Sequence, residues 1–272
     1  MMTRAFLYAA FIGLAVLAAT RPGGAQQQDA AALAKQAQNP IANLISLPLQ
    51  NNTSFGIGED DRTQNVLNIQ PVIPIGAGKL NLINRAILPI VSQPDLSTQT
   101  ESTFGLGDLT YELFISPAKA SSITWGVGPV LILPTATDGA LGSGKWSAGP
   151  AAVLVMMPGK FVVGAVAFNA WSFAGDGDRD NVNQLVFQYF INYNLPNAWY
   201  LVSGPLITAN WEADSGDRWI VPFGGGFGKV FGIGGQKMNG TIQAYYNAVK
   251  IESLDGPDWS LRVQLQFLFP KG

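Results

Sequence analysis

Apolar and polar residues alternate strictly from Asp258 to Phe267 in the last stretch of the chain, DWSLRVQLQFLF (residues 258–269). Trp259, Leu261 and Val263 fall on one face of an extended strand, while Arg262 and its polar neighbours fall on the other. A period of two is typical of a strand whose two faces meet different surroundings. In a soluble barrel the apolar face points inward. In an outer-membrane barrel it points outward to lipid, and the polar face lines the lumen.

Similar segments recur from about residue 43 to the C-terminus, separated by turn-forming clusters. Most are ten to thirteen residues long, which is enough to cross a membrane at the usual strand tilt. Their even number is typical of single-chain bacterial barrels. The pattern predicts an all-β fold, an up-and-down antiparallel transmembrane β-barrel of about 12 strands. The strands are expected at 43–55, 65–75, 80–92, 106–116, 122–134, 146–157, 160–173, 183–193, 199–210, 219–230, 239–250 and 259–268.

The connections between these strands are of two alternating kinds. With the N-terminus placed in the periplasm, the even-numbered connections are short, rich in Gly, Pro and Asn, and free of acidic residues: GAGK, PAKAS, PGK, NLPNA and GIGGQK. The odd-numbered connections are mostly longer and hold fifteen of the eighteen carboxylates. Short periplasmic turns and longer outer loops characterise outer-membrane barrels. This segregation therefore favours lipid, rather than a soluble core, on the apolar face.

If lipid surrounds the barrel, the polar residues of the strands must face the lumen. In GLGDLTYELFI, for example, Asp108 and Glu112 oppose an apolar face, and a carboxylate facing lipid at mid-depth would be strongly unfavourable. The charged residues are expected to form a lumenal network, which either fills a narrow lumen with salt bridges or contacts solute. The lumen candidates are Arg85, Asp108, Glu112, Gln184, Gln188, Arg262 and Gln264.

The seven tryptophans fall near the ends of the predicted strands. Indole prefers the membrane–water interface, so this placement indicates two aromatic girdles. The alternative is that the indoles merely cap strand edges. Trp125 and Trp199 fall on the turn side, and Trp146, Trp171, Trp211, Trp219 and Trp259 on the loop side.

Composition excludes several classes of function. Only 12% of the 272 residues are charged, about half the usual share, and the net charge of −2 argues against a nucleic-acid partner. The chain contains no Cys and no His, so disulfides, thiolate nucleophiles, Ser-His dyads and most zinc sites are excluded. Asp108 and Glu112 could form an acid/base pair, but no other feature supports catalysis. We expect neither enzymatic activity nor a cofactor.

The N-terminus resembles an export signal. Arg4 precedes an apolar run at 5–19, too short to span a bilayer, and Gly23-Gly24-Ala25 follows it. Residues 1–25 are therefore expected to be a signal peptide cleaved after Ala25, or alternatively an uncleaved anchor.

An Ala- and Gln-rich segment, DAAALAKQAQ, follows the signal. It predicts a short helix within residues 26–39 that ends before Pro40. By its position the helix could serve as a plug or gate for the barrel, which is expected to occupy residues 40–272.

Two loop motifs are weak matches to ligand sites. GALGSGKW (residues 139–146) carries Trp146 where a phosphate loop needs Ser or Thr, and it joins two strands. DGDRDN (residues 176–181) begins like a calcium loop but lacks the Gly at the sixth position, and Phe187 stands in place of the bidentate Glu. We expect no metal site, although a loose divalent-cation contact with these outer acids remains an alternative.

Several longer stretches resemble a known family: LAKQAQNPIANLISLPLQNNTSFGIG, GLGDLTYELFISP, NQLVFQYFINYNLPNAWYL and WIVPFGGGFGKVF. The resemblance extends from about Leu33 to the C-terminus. It is to Gram-negative outer-membrane barrels described as phenol meta-degradation-pathway or transporter-like proteins, often mislabelled neuromedin U. The resemblance implies passive transport across the outer membrane, but it supplies no site residues and no substrate.

We therefore expect an outer-membrane channel or passive transporter for a small solute, selective through lumenal polar and charged residues. The expected partners are outer-membrane lipid, lipopolysaccharide, the barrel-assembly machinery and an unidentified solute. One alternative is a non-conducting structural or adhesive barrel that acts through its acidic outer loops. Another is a soluble β-barrel that binds an apolar ligand.

Overall fold

A closed antiparallel barrel of twelve spans forms the body of the molecule. The computed structural model describes residues 24–95, 102–119 and 122–270, and the predicted signal peptide falls mainly outside these ranges. Each span pairs with its neighbours in the chain, and the last strand pairs with the first over the register Ile45–Phe269 to Phe55–Trp259, which closes the barrel. The predicted fold and number of spans are confirmed.

Fifteen strands make up the twelve spans in the described residues. They are β1 (Ile45–Ile57), β2 (Arg62–Ile69), β3 (Val72–Ala77), β4 (Leu80–Pro94), β5 (Ser102–Leu106), β6 (Leu109–Pro117), β7 (Ile123–Leu133), β8 (Lys145–Met156), β9 (Phe161–Gly175), β10 (Asn183–Asn194), β11 (Trp199–Ser203), β12 (Leu206–Asn210), β13 (Trp219–Ile233), β14 (Gln236–Val249) and β15 (Trp259–Phe269).

Three of the predicted spans are interrupted, so that β2–β3, β5–β6 and β11–β12 each form one span in two pieces. The breaks fall at Gln70-Pro71, Gly107-Asp108 and Gly204-Pro205. Proline cannot donate a ladder hydrogen bond, and glycine weakens a strand interior, which accounts for these positions. The break at Gly204-Pro205 leaves the Gly204 carbonyl oxygen free to accept hydrogen bonds from side chains in the lumen.

The two faces of β15 point as predicted. Gln266 and Leu268 are buried inside the barrel, while Trp259 and Val263 expose 53% and 44% of their surface on the outside. Of the seven tryptophans, Trp125, Trp146, Trp171, Trp211 and Trp259 are large exposed apolar side chains near span ends. This outward placement is the geometry of aromatic girdles at the two ends of the barrel.

One α-helix, α1 (Gly24–Ala37), packs against the end of the barrel that carries the short turns, called the turn end below. Its Ala34 is completely buried in a cluster with Leu44, Ala198, Val230 and Leu268. The helix begins slightly earlier than predicted and ends before Pro40, as expected. None of the helices in the described ranges is long and apolar enough to cross a membrane.

Glycine is required where β13 passes the buried ring of Tyr200. A Cβ at Gly228 would lie 2.4 Å from Tyr200 Cζ, and the Tyr200 hydroxyl donates a 2.7 Å hydrogen bond to Asn239 Oδ1. We expect Gly228→Ala to lower the free energy of unfolding by about 1–3 kcal/mol through overpacking. Urea unfolding of the refolded barrel in detergent measures the change. Gly232→Ala in the same strand, where the nearest atom would be 3.4 Å away, is the control; equal effects at both positions would contradict this account.

Candidate functional site in the barrel lumen

A cavity of about 180 Å³ lies inside the barrel near the turn end. Residues 36–40, which end α1 and lead to the first strand, bound it on one side. Strands from opposite sides of the barrel line the rest, so the cavity is part of the lumen. It has one polar wall and one apolar wall.

The polar wall is formed by the inward faces of β1, β14 and β15. Strict alternation in these strands places amide and hydroxyl side chains in the lumen. They bond to one another: Asn239 Nδ2 donates to Gln266 Oε1 at 3.1 Å, and Gln243 Nε2 donates to Thr241 Oγ1 at 3.2 Å. Gln264, a predicted lumen residue, also lines the cavity.

The apolar wall of the cavity is formed by Val166 of β9, Phe190 of β10 and Val202 of β11. It continues an apolar inner face of β6–β10 that was not predicted. In this half of the barrel the buried inward residues are mainly apolar, and the alternating segments of the sequence did not indicate this. Strands such as β8, KWSAGPAAVLVM, are apolar on both faces near the turn end. Their sequences therefore show no apolar–polar alternation from which the inward face could be identified. Buried here are Phe114, Val130, Ala151, Val153, Val155, Val162, Val166, Phe168, Ala170 and Phe190.

Arg85 and Glu112 form an ion pair inside the barrel. The residues lie directly opposite each other in the register of β4 and β6, and Arg85 Nη1 is 3.1 Å from Glu112 Oε2. Arg85 Nη2 also donates to Gln70 Oε1 at 3.0 Å, beside the break in the β2–β3 span. Glu112 is only 2% exposed, so its charge depends on this partner.

Arg262 bonds instead to neutral groups. Its Nε donates to Asn52 Oδ1 at 3.0 Å and its Nη1 to the carbonyl oxygen of Gly204 at 2.8 Å. The guanidinium carbon lies 5.1 Å from the centre of the Tyr245 ring. Gly204 can accept this bond because its span is interrupted there.

The other predicted lumen residues are distributed along the barrel. Gln188 lines the cavity and donates to the Gly204 oxygen at 3.0 Å, while Gln184 lies four residues away on the same face of β10. Asp108 lies at a strand break, where Oδ2 accepts from the amide and hydroxyl of Ser143 at 2.7 and 2.9 Å. It thus anchors the 134–144 loop, and the predicted charges form separate groups rather than one network.

The outer acids bond to groups within and between the outer loops. Hydrogen bonds from Lys250 to Asp255 and Asp258, at 2.7 and 2.8 Å, raise the pKa of Lys250. The backbone amide of Ser253 donates to Asp217 and lowers the pKa of that carboxyl. In the part of the chain that the structure describes, no three metal-ligating side chains converge.

Comparisons with known proteins agree with this architecture. The sequence profile of the family described as "Putative MetA-pathway of phenol degradation" matches residues 58–272. The crystal structure of an outer-membrane channel from Pseudomonas putida superimposes with a TM-score of 0.61 and 17% identity, covering 83% of this chain and 94% of that one. Outer-membrane phospholipase A from Escherichia coli gives a TM-score of 0.46 and 15% identity, covering 84% and 90%. No curated protein matches the sequence.

Proposed function

The chain belongs to the MetA-pathway phenol-degradation family, and from this premise we propose that it is a passive outer-membrane channel for a small, mainly apolar solute with a polar group. The observation that carries the proposal is the two-walled cavity inside the closed barrel. A solute of this kind can leave water without losing all its hydrogen bonds, since its polar group meets the amide wall while its apolar part meets Val166 and Phe190.

The outward surface supports placement in the outer membrane. Large apolar side chains are exposed along the outside of the strands, with tryptophans near both ends. Exposed apolar area of this extent is unfavourable in water and favourable in lipid. Lipid, lipopolysaccharide and the assembly machinery are the partners that such a location predicts.

The position of α1 supports a role as a plug. It covers the turn end and is attached by buried alanine, by Lys35 Nζ donating to the Gly159 oxygen at 2.6 Å, and by the Gln38–Asn194 amide pair. Because α1 covers the turn end of the lumen, the structure also favours a second candidate function, a structural barrel that conducts no solute. Transport measurements separate the two.

Uptake of phenol into liposomes containing the refolded barrel tests the channel directly. We expect uptake above that of empty liposomes, and a several-fold loss in Val166→Thr, because the added hydroxyl makes the apolar wall less favourable for the ring. Val155→Thr is the matched control, since Val155 is buried in the same apolar inner face of the barrel but does not line the cavity. Uptake equal to that of empty liposomes, with inserted protein, would favour the structural barrel.

A further inference from the structure

We infer that the lumen is selective for anions and that Arg262 binds the carboxylate of a small solute whose apolar part rests on the opposite wall. This inference rests on the proposed channel function and refines its solute class. The ligand chemistry is a monocarboxylate attached to an apolar body about the size of one ring.

The charges that line the cavity are all of one sign. Arg85 and Arg262 border it, and no Asp or Glu does so among the described residues. Glu112 neutralises Arg85 from a buried position outside the lining. Arg262 therefore leaves one uncompensated positive charge in a narrow space with low-dielectric walls, which attracts anions and repels cations.

The hydrogen bonds of Arg262 leave it able to bind an anion. A guanidinium group carries five N–H donors in a planar fork. In Arg262 the Nε donor bonds to Asn52 and one Nη1 donor bonds to Gly204, and both acceptors are neutral. In the described residues no carboxylate lies within ion-pair distance of it. A carboxylate reaching this group would form charge-assisted bonds, which are about twice as strong as neutral ones.

Gly204 brings the guanidinium to the junction of the two walls. Its carbonyl oxygen accepts from Arg262 of the polar wall and from Gln188 of β10, two residues from Phe190. Gly204 lies close to both side chains: a Cβ at this position would be 3.7 Å from Gln188 Nε2 and 3.7 Å from Phe190 Cβ. A bound carboxylate at Arg262 would thus place an attached ring beside Phe190, with Val166 and Val202 also lining the space.

Benzoate and benzamide are suitable probes because they share one shape and differ in charge. With the full barrel in planar bilayers, we expect the reversal potential in a salt gradient to show anion preference. Benzoate should inhibit the chloride current at concentrations about tenfold below those of benzamide, as expected for a charge-assisted bond. Inhibition at equal concentrations, or a preference for cations, would overturn the inference while leaving the channel intact. Absence of any conductance and phenol uptake would overturn both.

Variants locate the effect. Arg262→Gln is expected to abolish the anion preference and the difference between the two probes, while Arg262→Lys keeps the charge and should retain the preference with weaker benzoate inhibition. Lys160→Gln makes the same charge change in an exposed turn, where the ammonium lies 6.0 Å from the centre of the outward-facing Tyr193 ring, and should alter neither. If Arg262→Gln conducts with unchanged selectivity, the residue does not bind the anion.

Discussion

Ala34→Trp is expected to raise the ionic conductance of the barrel several-fold by displacing α1 from the turn end. Ala34 is 0% exposed and is enclosed by Leu44, Ala198, Val230 and Leu268, so an indole cannot fit without moving the helix. Overpacking of this kind costs about 1–3 kcal/mol. Outside this cluster the segment is held to the barrel by the Lys35–Gly159 hydrogen bond and the Gln38–Asn194 amide pair, each worth about 0.5–1.5 kcal/mol, so overpacking of this size can offset them.

Single-channel recording in a planar bilayer measures the effect. Ala32→Trp makes the same change on the exposed face of the same helix and should leave conductance unaltered. Deletion of residues 26–39 should reproduce the increase given by Ala34→Trp. If the deletion and both substitutions conduct like the unmodified barrel, α1 does not close the lumen.

The barrel was predictable because successive residues of a membrane strand face lipid and lumen in turn, which gives the sequence an apolar–polar period of two. In β15 the outward and inward residues alternate without exception from Trp259 to Leu268, and the structure orients them as predicted. The acidic loops and the aromatic span ends provided independent support. The span breaks were less visible, because Pro71 and Pro205 lie within otherwise strand-like segments.

The candidate site was predictable only in part. Polar lumen residues such as Gln188 and Arg262 stand out against apolar neighbours, but an inward valine such as Val153 cannot be distinguished from its outward neighbours in an all-apolar strand. Docking of α1 uses Ala30, Leu33, Ala34 and Ala37, an i, i+3, i+4, i+7 set that is hard to recognise because Ala31 and Ala32 lie beside it. Asp108 has the same local pattern as Glu112, and only the three-dimensional position of Ser143 assigns it to the loop.

The Arg85–Glu112 pair gives the second large effect. We expect Glu112→Gln to lower the free energy of unfolding by about 3 kcal/mol, because it leaves Arg85 without a compensating charge in a largely desolvated position. The pair need not add net stability relative to neutral residues, so Arg85→Gln combined with Glu112→Gln should recover most of the loss. Urea unfolding of the refolded barrel in detergent, analysed as a double-mutant cycle, measures this coupling.

Glu59→Gln is the control for this cycle. Glu59 is exposed in an outer loop, and its neutralisation should change stability by less than about 0.5 kcal/mol. A Glu112→Gln variant as stable as this control would mean that solvent in the lumen hydrates Arg85 well enough to replace the carboxylate. With the pair as described, removal of Glu112 also adds a second uncompensated charge beside the cavity. The surviving folded fraction should then show stronger anion preference than the unmodified barrel, which links the stability of the pair to the selectivity of the lumen.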